Sequence, residues 1–337
     1  MTQKVQPKVD IITGIRPTAS LTIANYLGAV KPIVNLQKDT DKKVLVFVAD
    51  MHGLTDTEPD VIAQNSKNVM LDYLALGLDP EKTTFYFQSD IGDLVSELTL
   101  LLSRHISISE LLRVPTLKDK IKKGDRAETA NALLALYPVM MAADILIQKA
   151  AQVPVGEDQI AHLEVTKLLA RRFNKSYGEV FYVPEPYTIK ALRILSLKGE
   201  SKMSKTYPEG AIFLNEDIKK IKKKIKRAET AFAGKMNPTL ESHITIAKSL
   251  SDDGELVLIE NILKKHMKGE QVMSEFKDVF KEVVVRFIKE FQEKRAVLEK
   301  ENDLLNSLVQ KGTKFARENG NQTLKEVKSA LNLNPSL

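Results

Sequence analysis

The chain has no cysteine and no tryptophan among its 337 residues. Without cysteine there can be no disulfide, no thiolate zinc site and no cysteine nucleophile, which removes several enzyme classes at once. The five histidines form no HExxH pair, so a zincin-type helix is excluded as well. Long apolar runs are also missing, and none approaches the roughly 20 residues needed to cross a bilayer. The segment Met1 to Val9 is polar and has no apolar stretch followed by a cleavage site, so a cytoplasmic location is expected. The absence of tryptophan excludes nothing by itself.

What is present is the composition of an ordinary folded protein, 43% hydrophobic and 28% charged. A chain of this length exceeds what one core usually serves, so two domains are the starting expectation. Lys and Arg outnumber Asp and Glu by 50 to 44, a net charge of +6 that suits a polyanionic partner without demanding one.

As far as about residue 210, short apolar strands alternate with longer helical patterns, the arrangement of a parallel sheet wrapped by helices. Strands are expected at Val9 to Thr13, Val44 to Ala49 and Thr83 to Gln88. Between the last two, Pro59 opens a segment in which Ile62, Val69, Tyr73, Leu74 and Leu76 recur at helical spacing, and Gly77 with Asp79-Pro80 closes it. Pro32 should kink or restart the helix that follows the first strand. From Ala211 onward strand signals fade and Lys/Glu-rich amphipathic helices take over, one with the apolar stripe Phe276, Phe280, Val283, Val284, Phe287, Ile288 and Phe291. The expectation is an α/β protein with a parallel-sheet domain over 1–210 and an α-helical domain over 211–337.

Four segments carry chemistry. The first strand runs through Thr13-Gly14-Ile15-Arg16-Pro17-Thr18-Ala19-Ser20-Leu21-Thr22-Ile23-Ala24-Asn25 into a helix N-terminus, where backbone N–H groups can face phosphate oxygens; an ordinary strand-to-helix loop would look the same. Lys202-Met203-Ser204-Lys205-Thr206 sets two lysines three apart on a loop, able to close over a triphosphate and offset charge on departing pyrophosphate. Tyr137-Pro138-Val139-Met140-Met141-Ala142-Ala143-Asp144 reads as a helix beginning at Pro138, with positions 137, 141 and 144 on one face. An unpaired carboxylate in so apolar a run would cost several kcal/mol, so Asp144 needs a donor, either a ligand N–H or a partner within the fold. Val153-Pro154-Val155-Gly156-Glu157-Asp158-Gln159 reads as a short strand entering a helix; its acidic residues either cap that helix or reach a ligand.

Together, the early loop and the KMSKT segment resemble the paired signatures of class I aminoacyl-tRNA synthetases, and nearly the whole chain resembles the tryptophanyl-tRNA synthetases of bacterial type. The resemblance rests also on Val48-Ala49-Asp50-Met51-His52-Gly53-Leu54-Thr55, Phe87-Gln88-Ser89, Glu110-Leu111, Lys118-Asp119-Lys120, MMAADIL, VPVGEDQ and the tail from Gly312 to Leu324. It implies a Rossmann-like catalytic domain that binds ATP and tryptophan, and a helical domain that reads the tRNA anticodon. Asp144 would accept the indole N–H, with Met141 packing on the ring and His52, Ile12, Val153 and Val155 around it. Tyr137 and Gln159 would hold the ammonium and carboxylate end. Gly156 and Asp158 would meet the ribose, and Arg16, Thr18, Ala24, Asn25, Lys118, Lys120, Met203 and Ser204 the rest of ATP. Lys202, Lys205, Thr22 and Asn25 would stabilise the transition state. Mg2+ would be held mainly by the ATP phosphates, so no protein-held metal is expected.

The resemblance also implies a homodimer. Two positions depart from the family pattern: Ala19 and Ala24 stand where glycine is usual, and a methyl at 24 should crowd the adenine. A tyrosyl-tRNA synthetase and a catalytically weakened nucleotide- or RNA-binding paralogue are the competing readings. A basic face formed by Lys219, Lys220, Lys222, Lys223, Lys224, Lys226 and Arg227 flanks the apolar stripe Ile218, Ile221, Ile225 and Ala228; it is either tRNA-contacting or merely solvated.

Overall fold

The computed structural model describes residues 5–39, 42–115, 117–118, 131–156, 160–188, 192–199 and 201–333. Five strands, β1 (Val9–Ile15), β2 (Val44–Val48), β3 (Thr83–Phe87), β4 (Ala150–Val155) and β5 (Glu185–Thr188), form one parallel sheet in the order β3-β2-β1-β4-β5. Every residue of β2 is buried, as expected of a strand covered on both faces, and the run Val-Leu-Val-Phe-Val supplies that coat. The order reverses direction at β1, so the crevice beyond the carboxyl ends of β1 and β4 is the topological switch point.

Among the described residues, the helices of this half include α1 (Ile23–Asn25), α2 (Lys31–Asp39), α3 (Asp50–Gly53), α4 (Pro59–Ala75), α5 (Gly92–Ser103), α6 (Ile108–Leu111), α7 (Ala132–Ile147) and α8 (Ile160–Tyr177). Pro32 restarts the helix as expected: a π-helical turn, Tyr26–Val30, separates α1 from α2, and Pro32 sits in the first turn of α2, where its missing N–H is harmless. Pro59 opens α4. The expected start of a helix at Pro138 is corrected: α7 begins at Ala132, capped by the Asn131 side chain on the Leu134 N–H at 2.8 Å, and Pro138 lies inside it. Packing of α7 against α5 and α8 sustains the helix through the backbone bond that Pro138 cannot make. Strand β5 was not foreseen, because Pro186 masks it; proline is tolerated there since β5 is an edge strand.

The later helices are α9 (Ile218–Lys226), α10 (Pro238–Leu250), α11 (Asp253–Met267), α12 (Met273–Leu298) and α13 (Asn302–Ala330). The expected stripe on α12 is buried except Phe287, which is half-buried and packs against Tyr26 with ring centroids 4.7 Å apart. One apolar cluster runs from Val44 and Val46 of the sheet to Ile221, Phe276, Phe280 and Ile288 of the helices. The polar joint beside it is formed by Asp72 of α4, whose carboxylate meets Arg295 of α12 at 2.7 Å, while Arg295 also donates to Asn68 at 2.8 Å. Burial holds the Asp72 carboxyl above its usual range even against Arg295. Helix α13 returns to the sheet and covers the free edge of β3. At Gly312 a Cβ would lie 1.8 Å from the Phe85 carbonyl oxygen, so the close approach requires glycine.

His243 of α10 is buried and stacks on Phe280 at 5.6 Å. Burial pushes its imidazole down from 6.5 to about 4, with the Ser196 backbone opposing the shift and the Lys277 charge adding to it. Between these two values the unfolded chain takes up a proton that the folded chain refuses. Stability from this group is therefore complete above 6.5 and lost as the pH falls toward 4, a swing of about 3 kcal/mol. His243→Phe should flatten that part of the pH dependence. Urea unfolding at about pH 7 and about pH 4.5 measures it, and an unchanged difference in the variant would assign the acid sensitivity to another group.

Candidate active site at the switch point of the sheet

A cavity of about 400 Å³ opens at the carboxyl ends of β1 and β4. Ile12, Thr13 and Gly14 of β1, Phe47 of β2, Val153, Pro154 and Val155 of β4, and Tyr137, Met141, Asp144 and Ile145 of α7 line it. Arg16, Ala49, His52, Thr55 and His162 complete the lining. The walls are apolar or aromatic and the polar groups are few, the pattern of a small-molecule site. A Cβ at Gly14 would lie 2.7 Å from the Phe47 ring, so any larger residue there would displace that wall of the cavity.

Asp144 is the deepest charged group, 1% exposed. Its two oxygens each accept from Gln88 Nε2 at 2.9 Å, and Oδ2 meets His52 Nε2 at 3.0 Å. Gln88 in turn accepts from the His52 backbone N–H at 3.3 Å, so the three residues brace one another. Burial raises the Asp144 carboxyl above its usual range, the hydrogen bonds from His52 and Gln88 pull it back, and the Asp50 charge adds a small upward push. The partner within the fold that the sequence left open is therefore present, and the carboxylate also faces the cavity. A carboxylate offers about four lone-pair sites, so a ligand donor can still be accepted. Across the cavity, the Tyr137 hydroxyl meets His162 Nε2 at 2.9 Å.

The expected tryptophan-site residues Ile12, His52, Tyr137, Met141, Asp144, Val153 and Val155 thus converge on one cavity, whereas Gln159 lies outside the described residues. Arg16, expected to face the nucleotide, lines the same cavity instead. The remaining nucleotide residues that are described lie outside its lining. Thr22 is buried and caps α1 through reciprocal bonds with Asn25, which is itself exposed. Ala24 is half-buried against the core, and Gly156 is half-buried just past β4. Lys118 is exposed, and Asp158 and Lys120 lie outside the described residues.

The two signature loops meet. Lys205 Nζ donates to the Thr18 hydroxyl at 3.0 Å and to the Ala19 carbonyl. Just beyond, Ile23 N–H donates to Ile212 O and Leu214 N–H to Leu21 O, both at 2.9 Å, which stitches the early loop to the chain after KMSKT. Met203 is buried and its N–H bonds Ile194 O at 3.0 Å, Ser204 is half-buried, and Lys202 is exposed. Sequence reasoning quoted Gln88 without giving it a role, and it named neither Thr55 nor His162 as site residues. The available signal was a polar side chain at the carboxyl end of an apolar strand, the edge where ligands sit.

A doubly wound parallel sheet, a switch-point cavity with one buried carboxylate, and a lysine loop docked on the β1–α1 loop define a nucleotide-dependent enzyme of the class I synthetase type. The chain belongs to the family described as tRNA synthetases class I (W and Y), whose model matches residues 3–306. It is 35% identical over 333 residues to the tryptophan–tRNA ligase of Porphyromonas gingivalis, covering 94% of this chain and 97% of that one. The corresponding ligase of Streptococcus pneumoniae is 34% identical and covers 97% of this chain and 98% of its own. Among solved structures, a Campylobacter jejuni tryptophanyl-tRNA synthetase complexed with ADP and tryptophan superposes with a TM-score of 0.83 at 31% identity. It covers 96% of this chain and 100% of its own. The Mycoplasma pneumoniae enzyme gives a TM-score of 0.80 at 29% identity, covering 96% of this chain and 98% of its own.

Gln88→Leu keeps the volume but strips Asp144 of its amide donor. Leaving a buried acceptor short of partners should cost about 1–3 kcal/mol and raise the tryptophan KM about tenfold, with the ATP KM little changed. Thermal unfolding and steady-state kinetics read the two effects. Unaltered values for both would mean that His52 alone suffices to hold the carboxylate.

Proposed function

We propose that this protein activates L-tryptophan with ATP, forming tryptophanyl-adenylate and pyrophosphate, and transfers the tryptophanyl group to tRNA(Trp). The supporting observation is the buried Asp144 carboxylate at the floor of a cavity walled by Ile12, Phe47, Met141, Val153 and Val155. An indole N–H reaching Asp144 completes its coordination, whereas phenylalanine leaves that position dry and unpaired, so the site rejects it. In the first step the amino-acid carboxylate attacks the α-phosphorus of ATP. No protein nucleophile is needed, because such transfers depend on positioning and charge stabilisation.

Lys205, docked on the β1–α1 loop, is suited to meet charge on the departing pyrophosphate, and Lys202 lies three residues away on the exposed side. Burial lowers the Lys205 ammonium below its usual value, with the Asp72 charge opposing this. Thr22 and Asn25 fix the first turn beside it. ATP would carry Mg2+ on its phosphates, in keeping with the ion's preference for phosphate and water ligands.

In this reading residues 1–210 form the catalytic domain and 211–337 the tRNA-binding helical domain, acting in the cytoplasm. Lys219, Lys220, Lys222, Lys223, Lys226 and Arg227 remain exposed on α9 and its end. Lys224 does not join them; it turns inward to Glu216 at 2.6 Å and to the Pro208 and Ala211 carbonyls. Between α9 and α12, Lys222, Lys223, Lys226, Lys277 and Lys281 line a groove against only Asp278 and Glu282. A homodimer is supported by exposed apolar side chains, Leu100 of α5 (74% exposed) and Ile108 of α6 (76%), with Leu112 just after α6 and Leu136 on α7, the helix that packs against both.

The test is amino-acid-dependent pyrophosphate exchange: tryptophan should support it and tyrosine should not. Asp144→Asn should raise the tryptophan KM at least about tenfold while leaving the ATP KM near its original value. Exchange with tyrosine, or with no amino acid, would overturn the reading. For tRNA, Lys222→Gln with Lys226→Gln should reduce the slope of log K against log salt by about 2 and leave exchange intact. An unaltered slope would place the RNA elsewhere.

A further inference from the structure

Arg16 is the one permanent cation among the described residues that line the cavity, and Asp144 is the one carboxylate. They occupy opposite depths: Asp144 is 1% exposed, whereas the Arg16 side chain is 44% exposed. The mouth cation is already engaged, since Arg16 Nη2 donates to Asp56 Oδ1 at 2.6 Å. That pair uses one nitrogen of the guanidinium, and both side chains are 44% exposed, so it is readily exchanged.

We infer that Arg16 binds the α-carboxylate of the amino acid and that Asp56 is its resident counter-ion, holding the guanidinium at the mouth until the substrate carboxylate takes it over. This rests on the reading of the cavity as the amino-acid site. An amino acid anchored by its ring at Asp144 must present its carboxylate at the mouth, where a guanidinium fork matches it better than any neutral group there. Arg16 lies immediately beyond β1, on the loop that continues to Thr18 and Ala19, where Lys205 docks. A carboxylate held by Arg16 is therefore directed toward the nucleotide side, where it must attack.

Asp56 is placed for this role by its own short segment. His52 on that segment bonds Asp144, the Thr55 hydroxyl donates to the His52 carbonyl at 2.8 Å, and Asn131 Nδ2 donates to the Thr55 carbonyl at 3.3 Å. His52, which braces the floor, and Asp56, which neutralises the mouth, thus sit four positions apart. Arg16 is a binding residue in this scheme, and Asp56, which acts through Arg16, is a positioning residue.

Tryptamine, which lacks the carboxylate, separates this inference from a structural role. With pyrophosphate exchange as the readout, Arg16→Met should raise the tryptophan KM about ten- to hundredfold while the tryptamine Ki and the ATP KM stay within about twofold. Arg16→Lys should recover part of the loss. Asp56→Asn, which removes the competing anion, should lower the tryptophan KM severalfold without moving the tryptamine Ki, and should have no such effect when combined with Arg16→Met. Equal changes for tryptophan and tryptamine, a change confined to the ATP KM, or an Asp56→Asn effect that persists without Arg16 would each overturn it. Failure of the function reading has a separate signature, no tryptophan-dependent exchange in the unaltered protein. If another amino acid supports exchange, that amino acid and its decarboxylated amine replace the pair, and the same split is required.

Discussion

The site is organised by the cost of keeping one carboxylate dry. Asp144 is almost fully buried, and burial raises its proton affinity, so the fold must supply donors or leave it neutral. Gln88 and His52 supply them from two different elements, the end of β3 and helix α3, and Gln88 locks His52 through its backbone. Three chain segments far apart in sequence are fixed relative to one another by that single requirement. The cavity beside the carboxylate inherits their rigidity, which is what recognition of a flat aromatic ring by one N–H needs.

A second constraint joins the two loops that handle the nucleotide. The early loop alone passes for an ordinary strand-to-helix turn, and its contact with the lysine loop depends on pairing between Leu21 to Ile23 and Ile212 to Leu214 and on Lys205 reaching Thr18. The lysine loop is held at both ends, by Ile194 before it and by the early loop after it. Lys205 is tied to the early loop through side-chain hydrogen bonds, whereas Met203 two residues before it is anchored in the core.

Much of this was legible in the residues. The strands β1 to β3, the Pro59 start of α4, the Pro32 restart and the stripe of α12 follow from periodicity and from the geometry of proline. Helical spacing put Tyr137, Met141 and Asp144 on one face, and all three line the cavity. What periodicity could not give were the contacts that depend on tertiary closure. Pro138 looked like a helix start because local rules place proline there, whereas packing against α5 and α8 sustains the helix through it. Gln88 had no role until the sheet brought β3 to α7. Lys224 read as one more solvated lysine, since nothing in a run of lysines marks the one whose neighbours are Glu216 and two carbonyls. Arg16 was placed with the nucleotide because its loop is, and only the closed cavity shows which way its side chain faces.

The change of class at residue 210 is visible in composition, but the helical half is not a separate attachment. Gln292 of α12 donates to the carbonyls of Leu214 and Glu216, the stretch that leads out of the lysine loop. One turn further, Arg295 pairs with Asp72, buried on α4 of the sheet half. Breaking that pair would strand a buried carboxylate, which costs far more than an exposed pair is worth. Helix α13 then closes the arrangement by lying so tightly on β3 that only glycine fits at 312. A displacement of α12 must therefore either carry both the 214–216 segment and Asp72 of α4 with it or break two hydrogen bonds and a buried ion pair. The first alternative is the cheaper one, so the helices that present the basic face and the loop that carries Lys205 are mechanically one assembly.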